Sequence, residues 1–335
     1  MEQTMDAILS GIDISVGYQH TTIIPPQCVE IPRGKITSII GPNGCGKSTL
    51  LKALSRMMPV QSGQIVLDGQ MIAQLPTLEV ARRMAILPQS PQAPGGLTVE
   101  ELVAYGRYPH QKGFGRLRED DHHAIRWALE ITHMDALATR DIDALSGGQR
   151  QRAWIAMALA QDTPLILLDE PTTYLDMAHQ LEVLELLQTL NTASQKTIAL
   201  VIHDLNLAAR FSDWMIAMRD GVVRYEGTAA QVMTREVLAD VFMLDAYVVP
   251  DPWTGRPTCI SYKMLGAGSW GSDCVQKSCP TNALSFVGQL FIIPRADGRR
   301  QNFAACGARS PAGSARQLQR RPAPPRPAAS RLGGS

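Results

Sequence analysis

The sequence predicts an α/β protein whose parallel sheet is covered by helices. Three observations carry this prediction: short apolar strands alternate with helical segments, one strand is apolar throughout, and a long middle stretch contains helical patterns only. Residues 165–168 are apolar at every position, as a central parallel strand buried on both faces requires. Such alternation of strands and helices is typical of a parallel sheet with helices on its faces.

Each element follows from the local pattern of side chains. Residues 36–40 are a short β-branched run, and residues 47–57 carry apolar side chains at helical spacing. Residues 197–202 predict another apolar strand, and residues 219–221 predict the turn of a hairpin. The strand pattern disappears between residues 88 and 145, so we expect an all-helical insertion within the α/β domain.

Composition and length restrict the class of protein. The chain has 335 residues, of which 45% are apolar and 19% charged, values that are ordinary for a globular protein with a sizeable core. No apolar run approaches the roughly 18 residues that span a bilayer. The N-terminus lacks the pattern of a secretion signal, and the cysteines do not form a disulfide framework. We therefore expect reduced thiols and a cytoplasmic location.

The charge is distributed unevenly along the chain. Residues 266–335 carry ten lysines and arginines against two aspartates, a net charge of +8, whereas residues 1–265 carry −7. The prolines, glycines and sparse apolar residues of 266–335 predict a disordered basic tail that folding and activity do not require. The negative charge of the folded part argues against a nucleic-acid partner.

A phosphate-binding loop is the first motif that carries chemistry. The pattern G-x-x-x-x-G-K-[ST], placed between a strand and a helix, is matched by Gly41, Pro42, Asn43, Gly44, Cys45, Gly46, Lys47, Ser48 and Thr49. The glycines let backbone N–H groups turn towards phosphate oxygens, and Lys47 is expected to reach the outer phosphates. Ser48 is expected to ligate Mg²⁺ through its hydroxyl. We also expect Cys45, beside Lys47 and a helix N-terminus, to be the most reactive thiol of the folded region.

Two adjacent carboxylates supply the second half of this site. Asp169 ends the apolar strand 165–168, where a carboxylate can hold Mg²⁺. Glu170 follows directly and is placed to orient or deprotonate an attacking water.

A third motif precedes a predicted helix. It consists of Leu145, Ser146, Gly147, Gly148 and Gln149. Ser146 is expected to cap the helix, and the two glycines expose its N-terminus as a second phosphate-binding surface. Together with the phosphate loop and Asp169, this motif resembles the ATP-binding cassette (ABC) ATPases, and the resemblance covers residues 7–262.

The resemblance implies a fold and an assembly. The fold is a P-loop NTPase cassette with a RecA-like parallel core, an antiparallel β subdomain and a helical insertion at about residues 90–145. The active unit is a head-to-tail homodimer with ATP and Mg²⁺ in its interface. In such a dimer, Ser146, Gly147, Gly148 and Gln149 of one copy face the γ-phosphate held by the other.

Three further residues take roles from the same resemblance. Tyr18 lies where an aromatic ring stacks on adenine. Gln89 matches the glutamine that contacts Mg²⁺, so that Ser48, Gln89 and Asp169 form the implied metal set. His203 matches the histidine that contacts the γ-phosphate, and Glu170 and His203 are the implied catalytic pair.

The type of transporter is suggested by residues around these motifs. Residues 106–110, 149–157 and 170–180 look like the ATPases of bacterial importers for iron–siderophore complexes, cobalamin and haem, the siderophore members being nearest. The resemblance implies separate membrane permease subunits docked on the helical insertion, a substrate-binding protein, and a peripheral position at the cytoplasmic face of the inner membrane.

Other functions remain alternatives to the siderophore importer. The chain could energise import of cobalamin or haem instead. A soluble ABC ATPase acting on DNA or the ribosome is disfavoured, because residues 89–145 lack sustained heptads and the chain has one set of motifs.

Overall fold

The structure, a computed structural model, describes residues 6–18, 21–111, 116–173 and 175–266. All but the first residue of the predicted basic tail lies outside them. Within the described ranges, every helix is too short or too polar to span a bilayer.

Twelve strands and nine α-helices are found among the described residues. The strands are β1 (Ala7–Tyr18), β2 (Thr21–Pro32), β3 (Ile36–Ile40), β4 (Ser62–Leu67), β5 (Gln70–Met71), β6 (Met84–Leu87), β7 (Leu165–Asp169), β8 (Thr197–Val201), β9 (Trp214–Arg219), β10 (Val222–Gly227), β11 (Leu244–Pro250) and β12 (Pro257–Met264). The helices are α1 (Lys47–Leu54), α2 (Thr77–Arg83), α3 (Val99–Tyr105), α4 (Glu119–Ile131), α5 (Gly147–Ala160), α6 (Met177–Ser194), α7 (Leu205–Phe211), α8 (Ala229–Val232) and α9 (Arg235–Phe242).

The central sheet has the strand order β10-β9-β3-β8-β7-β6. Its strands are parallel from β9 to β6, and β10 is an antiparallel edge joined to β9 by the predicted hairpin turn. Every residue of β3, β7 and β8 is buried. The predicted parallel sheet is confirmed, and the carboxyl ends of its strands meet at one edge, where ligands of such sheets bind.

A second, antiparallel sheet covers the phosphate-loop side of the core. Its order is β2-β1-β4-β5, and it forms the predicted antiparallel subdomain. Ile14 and Ile24 of this sheet share an apolar cluster with Ile39, Leu50 and Leu167 of the central region. This packing holds the start of α1 between the two sheets.

Helices fill the connection between β6 and β7, as the sequence predicts. The described residues there form α3, α4, α5 and short 3₁₀ turns, with one isolated bridge between Thr98 and Asp141. Leu102, Ile125 and Leu159 lie in the apolar cluster that joins the three helices to the sheet.

A buried ion pair links this helical region to the end of α5. Arg107 Nε donates to Asp121 Oδ1 at 2.8 Å, and the two side chains are 8% and 3% exposed. Arg107 also donates to the carbonyl of Ala160, and the N–H of Arg118 donates to Asp121 Oδ2. Burial opposes ionisation of Asp121, but these hydrogen bonds outweigh it and hold the pKa of Asp121 below its usual value.

Removing one partner of this pair is expected to destabilise the protein strongly. Asp121→Ala leaves the Arg107 guanidinium buried without its carboxylate, which costs about 3–5 kcal/mol of the free energy of unfolding. Glu79→Ala is the control, because its i,i+4 pair with Arg83 is more exposed, and such pairs contribute about 0.5 kcal/mol. Urea unfolding measures both variants; equal losses would contradict the role given to the buried pair.

Candidate functional site

The loop between β3 and α1 wraps around the start of the helix. Gly41 has a φ of 154°, and a Cβ at this position would lie 2.3 Å from the carbonyl oxygen of Met218, so only glycine fits. Gly46 precedes α1 in a left-handed conformation and provides no side-chain cap. The first N–H groups of α1 are therefore free to bind an anion.

Lys47 is folded back onto this loop. Its side chain is buried, and Nζ donates to the carbonyls of Gly41 and Pro42 at 2.9 Å each. Lys47 also lines the cavity described below. The ammonium is thus held at the phosphate loop by two neutral carbonyls.

Asp169 lies at the carboxyl end of β7 beside Ser48. Ser48 Oγ donates to Asp169 Oδ1 at 2.8 Å, and Asp169 is 3% exposed. Asp169 Oδ2 is buried and has no hydrogen-bond partner among the described residues. Burial raises the pKa of Asp169, while the hydrogen bond from Ser48 acts in the opposite direction. A carboxylate oxygen without a partner beside a hydroxyl fits a hard cation such as Mg²⁺.

Glu170 has a different environment from its neighbour. Its carboxylate lies 2.6 Å from His203 Nε2 and accepts hydrogen bonds from Gln89 Nε2 at 2.6 Å and Thr173 Oγ1 at 2.9 Å. Burial alone would raise the pKa of Glu170, but the hydrogen bonds from His203 and Thr173 bring it below its usual value. Glu170 is therefore ionised at neutral pH and can accept a proton.

The backbone of Glu170 takes part in this arrangement. Its φ is 55°, a left-handed conformation that costs on the order of 1 kcal/mol for a residue with a side chain. The turn is closed by a hydrogen bond from the N–H of Thr173 to the carbonyl of Glu170.

These groups surround one cavity of about 470 Å³. Its lining combines the phosphate loop and the start of α1 with residues that follow β6, β7 and β8, and with one residue of β2. The lining residues are Ile23, Asn43, Gly44, Gly46, Lys47, Ser48, Thr49, Gln89, Glu170, Thr173 and His203. Nine predicted site residues are thus brought together in one place. The sequence analysis does not predict Ile23 or Thr173 as site residues. Thr173 could have been found, because a hydroxyl three residues after Glu170 can reach its carboxylate, as it does here.

The remaining predicted residues do not line this cavity. They are Tyr18, Gly41, Pro42, Cys45, Ser146, Gly147, Gly148, Gln149 and Asp169. Asp169 reaches the cavity through its hydrogen bond with Ser48. Tyr18 is exposed at the end of β1.

The motif around Ser146 forms the start of α5. Ser146 Oγ accepts a hydrogen bond from the N–H of Gln149, and Gln149 Oε1 accepts one from the N–H of Ser146. The predicted cap is therefore present as a capping box. Ser146 and Gly147 are exposed.

The structure does not support the expectation that Cys45 is the most reactive thiol. Cys45 is 5% exposed, and burial raises the pKa of its thiol, while the nearby Lys47 lowers it by less. Packing of the sulfur between the loop and the sheets thus outweighs the effect of the neighbouring charge.

Comparison with known proteins identifies the family. A family model described as ABC transporter matches residues 27–173. The iron(3+)-hydroxamate import ATP-binding protein FhuC of Bacillus subtilis is 57% identical over 257 residues, which cover 77% of this chain and 96% of that protein. The chain belongs to the ATP-binding subunits of ABC transporters. It is therefore an ATPase coupled to transport, as the sequence predicts.

Further relatives and solved structures agree with this family. The petrobactin import ATP-binding protein FpuD of Bacillus anthracis is 51% identical to this ABC subunit over 258 residues, covering 77% of the chain and 94% of that protein. A metal-chelate type ABC transporter in an inward-facing conformation matches with a TM-score of 0.66 and 28% identity, covering 76% of this chain and 97% of that one. The dimeric cassette MJ0796 bound to ADP and Pi matches with a TM-score of 0.58 and 28% identity, covering 66% of this chain and 98% of that one.

The burial of Cys45 has a measurable consequence for the ABC subunit. A maleimide is expected to modify Cys28, which is exposed, on the order of tenfold or more faster than Cys45. Mass spectrometry of labelled peptides measures the two rates, and labelling in denaturant is the control in which the rates converge. Faster labelling of Cys45 in the native protein would contradict this prediction.

Proposed function

We propose that this subunit hydrolyses ATP to drive the uptake of iron–siderophore complexes through separate membrane permease subunits. The observation that carries the proposal is the cavity in which the phosphate loop, Glu170 and His203 meet. The substrate class is supported by the relatives, whose names refer to import of iron(3+)-hydroxamate and of petrobactin.

Phosphate binding follows from the loop between β3 and α1. Its N–H groups and the free N-terminus of α1 bind the phosphates of ATP. Lys47 Nζ exchanges its carbonyl partners in the loop for the outer phosphate oxygens. Ser48, Asp169 and Gln89 would hold Mg²⁺, and the ion would supply positive charge that stabilises the phosphate oxygens.

Hydrolysis uses the ionised carboxylate of Glu170. The oxygen of water forms a bond to the γ-phosphorus, and the bond from that phosphorus to the bridging oxygen breaks, leaving its electron pair on ADP. Glu170 accepts the proton that water loses. His203 lines the same cavity, and its Nε2 lies 2.6 Å from Glu170. When ATP is bound, His203 exchanges this carboxylate partner for a γ-phosphate oxygen, to which it donates as charge develops.

A second copy of the chain completes this site in the proposal. Residues 146–149 do not line the cavity of their own chain, and their exposed helix start is suited to an anion on another molecule. The dimeric MJ0796 cassette supports a homodimer, and the proposal arranges its two copies head to tail. In it, Ser146, Gly147, Gly148 and Gln149 face the γ-phosphate bound by the other copy, and Tyr18 stacks on adenine.

The rest of the assembly is proposed from the family. Polytopic permease subunits dock on the helical region of 90–145, and a substrate-binding protein delivers the iron complex. The ATPase then lies at the cytoplasmic face of the bacterial inner membrane as a peripheral subunit.

Glu170→Gln tests the proposed catalytic site. The amide keeps the size of the side chain but cannot accept a proton, so kcat is expected to fall at least about 100-fold while ATP binding persists. ATP and Mg²⁺ should then shift the variant to a dimer in gel filtration. The control is Glu185→Gln, an exposed glutamate on α6. A monomeric variant, or one with near wild-type turnover, would contradict the site assignment.

Transport is tested with the permease that co-purifies with the chain. Membrane vesicles containing both should take up ferric hydroxamates or another iron–siderophore complex only with ATP, and not with Glu170→Gln. Cobalamin and haem are assayed in parallel. Uptake of either one in place of every iron–siderophore complex would overturn the proposed substrate class.

A further inference from the structure

The two adjacent glycines of the signature segment (residues 146–149) have different surroundings. A Cβ built at Gly147 would meet no atom within 4 Å among the described residues. At Gly148, a Cβ would lie 3.1 Å from Cδ2 and 3.4 Å from Cγ of His179. The imidazole of His179 thus occupies the space in which a side chain at Gly148 would start.

The ring of His179 is held in that place. His179 follows the start of α6, and Asp176 is the N-cap of this helix. Asp176 Oδ1 accepts hydrogen bonds from the N–H of His179 at 2.9 Å and from ring Nδ1 at 2.7 Å. An ionised carboxylate only accepts hydrogen bonds, so Nδ1 carries the proton and the ring orientation is fixed. The ring is 40% exposed, so it could move, but a shift away from a methyl group at Gly148 would disturb its hydrogen bond with Asp176.

We infer that His179 is a positioning residue for ATP hydrolysis, whose ring fixes the signature segment relative to the start of α6. This inference rests on the proposed function, in which the signature segment of one copy faces the phosphate bound by the other. Asp176 orients the ring, and the ring lies against the position that a Cβ at Gly148 would occupy. The starts of α5 and α6 are thereby held in one arrangement when they approach a second copy.

The position of His179 separates this role from nucleotide binding within one chain. Asp176, His179 and the signature segment do not line the cavity that contains the phosphate loop. Loss of the ring is therefore expected to lower kcat several-fold while the Kd for ADP stays within about twofold. Loss of a residue that only stabilised the fold would not lower kcat while leaving the Kd for ADP unchanged.

A double-mutant cycle tests the contact between the ring and the glycine. Gly148→Ala is expected to lower kcat at least about fivefold more when His179 is present than when His179→Ala removes the ring, because contacting residues couple. His179→Phe keeps a ring but removes the hydrogen bond to Asp176. Its sensitivity to Gly148→Ala should therefore be smaller than with His179 present. Gly147→Ala is the matched control, and its effect on kcat should be the same with and without His179→Ala.

The outcomes of this cycle are distinct. An equal loss from Gly148→Ala in the two backgrounds would overturn the inference, because the space at Gly148 would then be needed for another group. In that case the proposed function would still stand, provided that the wild-type protein hydrolyses ATP and that Glu170→Gln abolishes this activity. A wild-type protein without ATPase activity would overturn the proposed function and, with it, the positioning role. Melting temperatures of all variants verify that each one is folded.

Discussion

Burial of three parallel strands on both faces is the constraint on which the rest of the structure depends. Every residue of β3, β7 and β8 is buried. Most residues that bind or react with a ligand must therefore lie in the segments that follow these strands. The phosphate loop follows β3, Glu170 follows β7 and His203 follows β8. Because these strands are parallel, the three segments reach the same edge of the sheet.

Two neighbouring carboxylates acquire opposite properties at this edge. Asp169 is buried with one oxygen unpartnered, and its pKa is raised. Glu170 turns into the cavity through its left-handed backbone, and its hydrogen bonds lower its pKa. The first environment suits a residue whose charge is balanced by a bound cation, and the second suits a base. Two consecutive positions of the chain thus have environments that suit different roles.

The motifs predict the fold and much of the site because they reflect local backbone geometry. The phosphate loop needs glycines at fixed positions, and residues 165–168 need to be apolar, so both are visible in the sequence. The contribution of Ile23 was not predictable, because it depends on how the antiparallel sheet packs on the loop. The burial of Cys45 was not predictable for the same reason. The sequence shows the charge of Lys47 two residues away, but in the fold the sulfur belongs to the apolar cluster that contains Ile14, Ile24 and Leu50.

The location of the signature segment outside the cavity has a consequence for regulation by mass action. If each site needs a segment from a second copy, the number of complete sites in dilute solution varies with the square of the subunit concentration. Free subunits then consume little ATP. In the proposed assembly, two copies bound to one permease would face each other at an effective concentration in the millimolar range, typical of short tethers. A weak interface between the subunits would therefore be sufficient, and ATP consumption would follow the number of assembled transporters rather than the abundance of the ATPase.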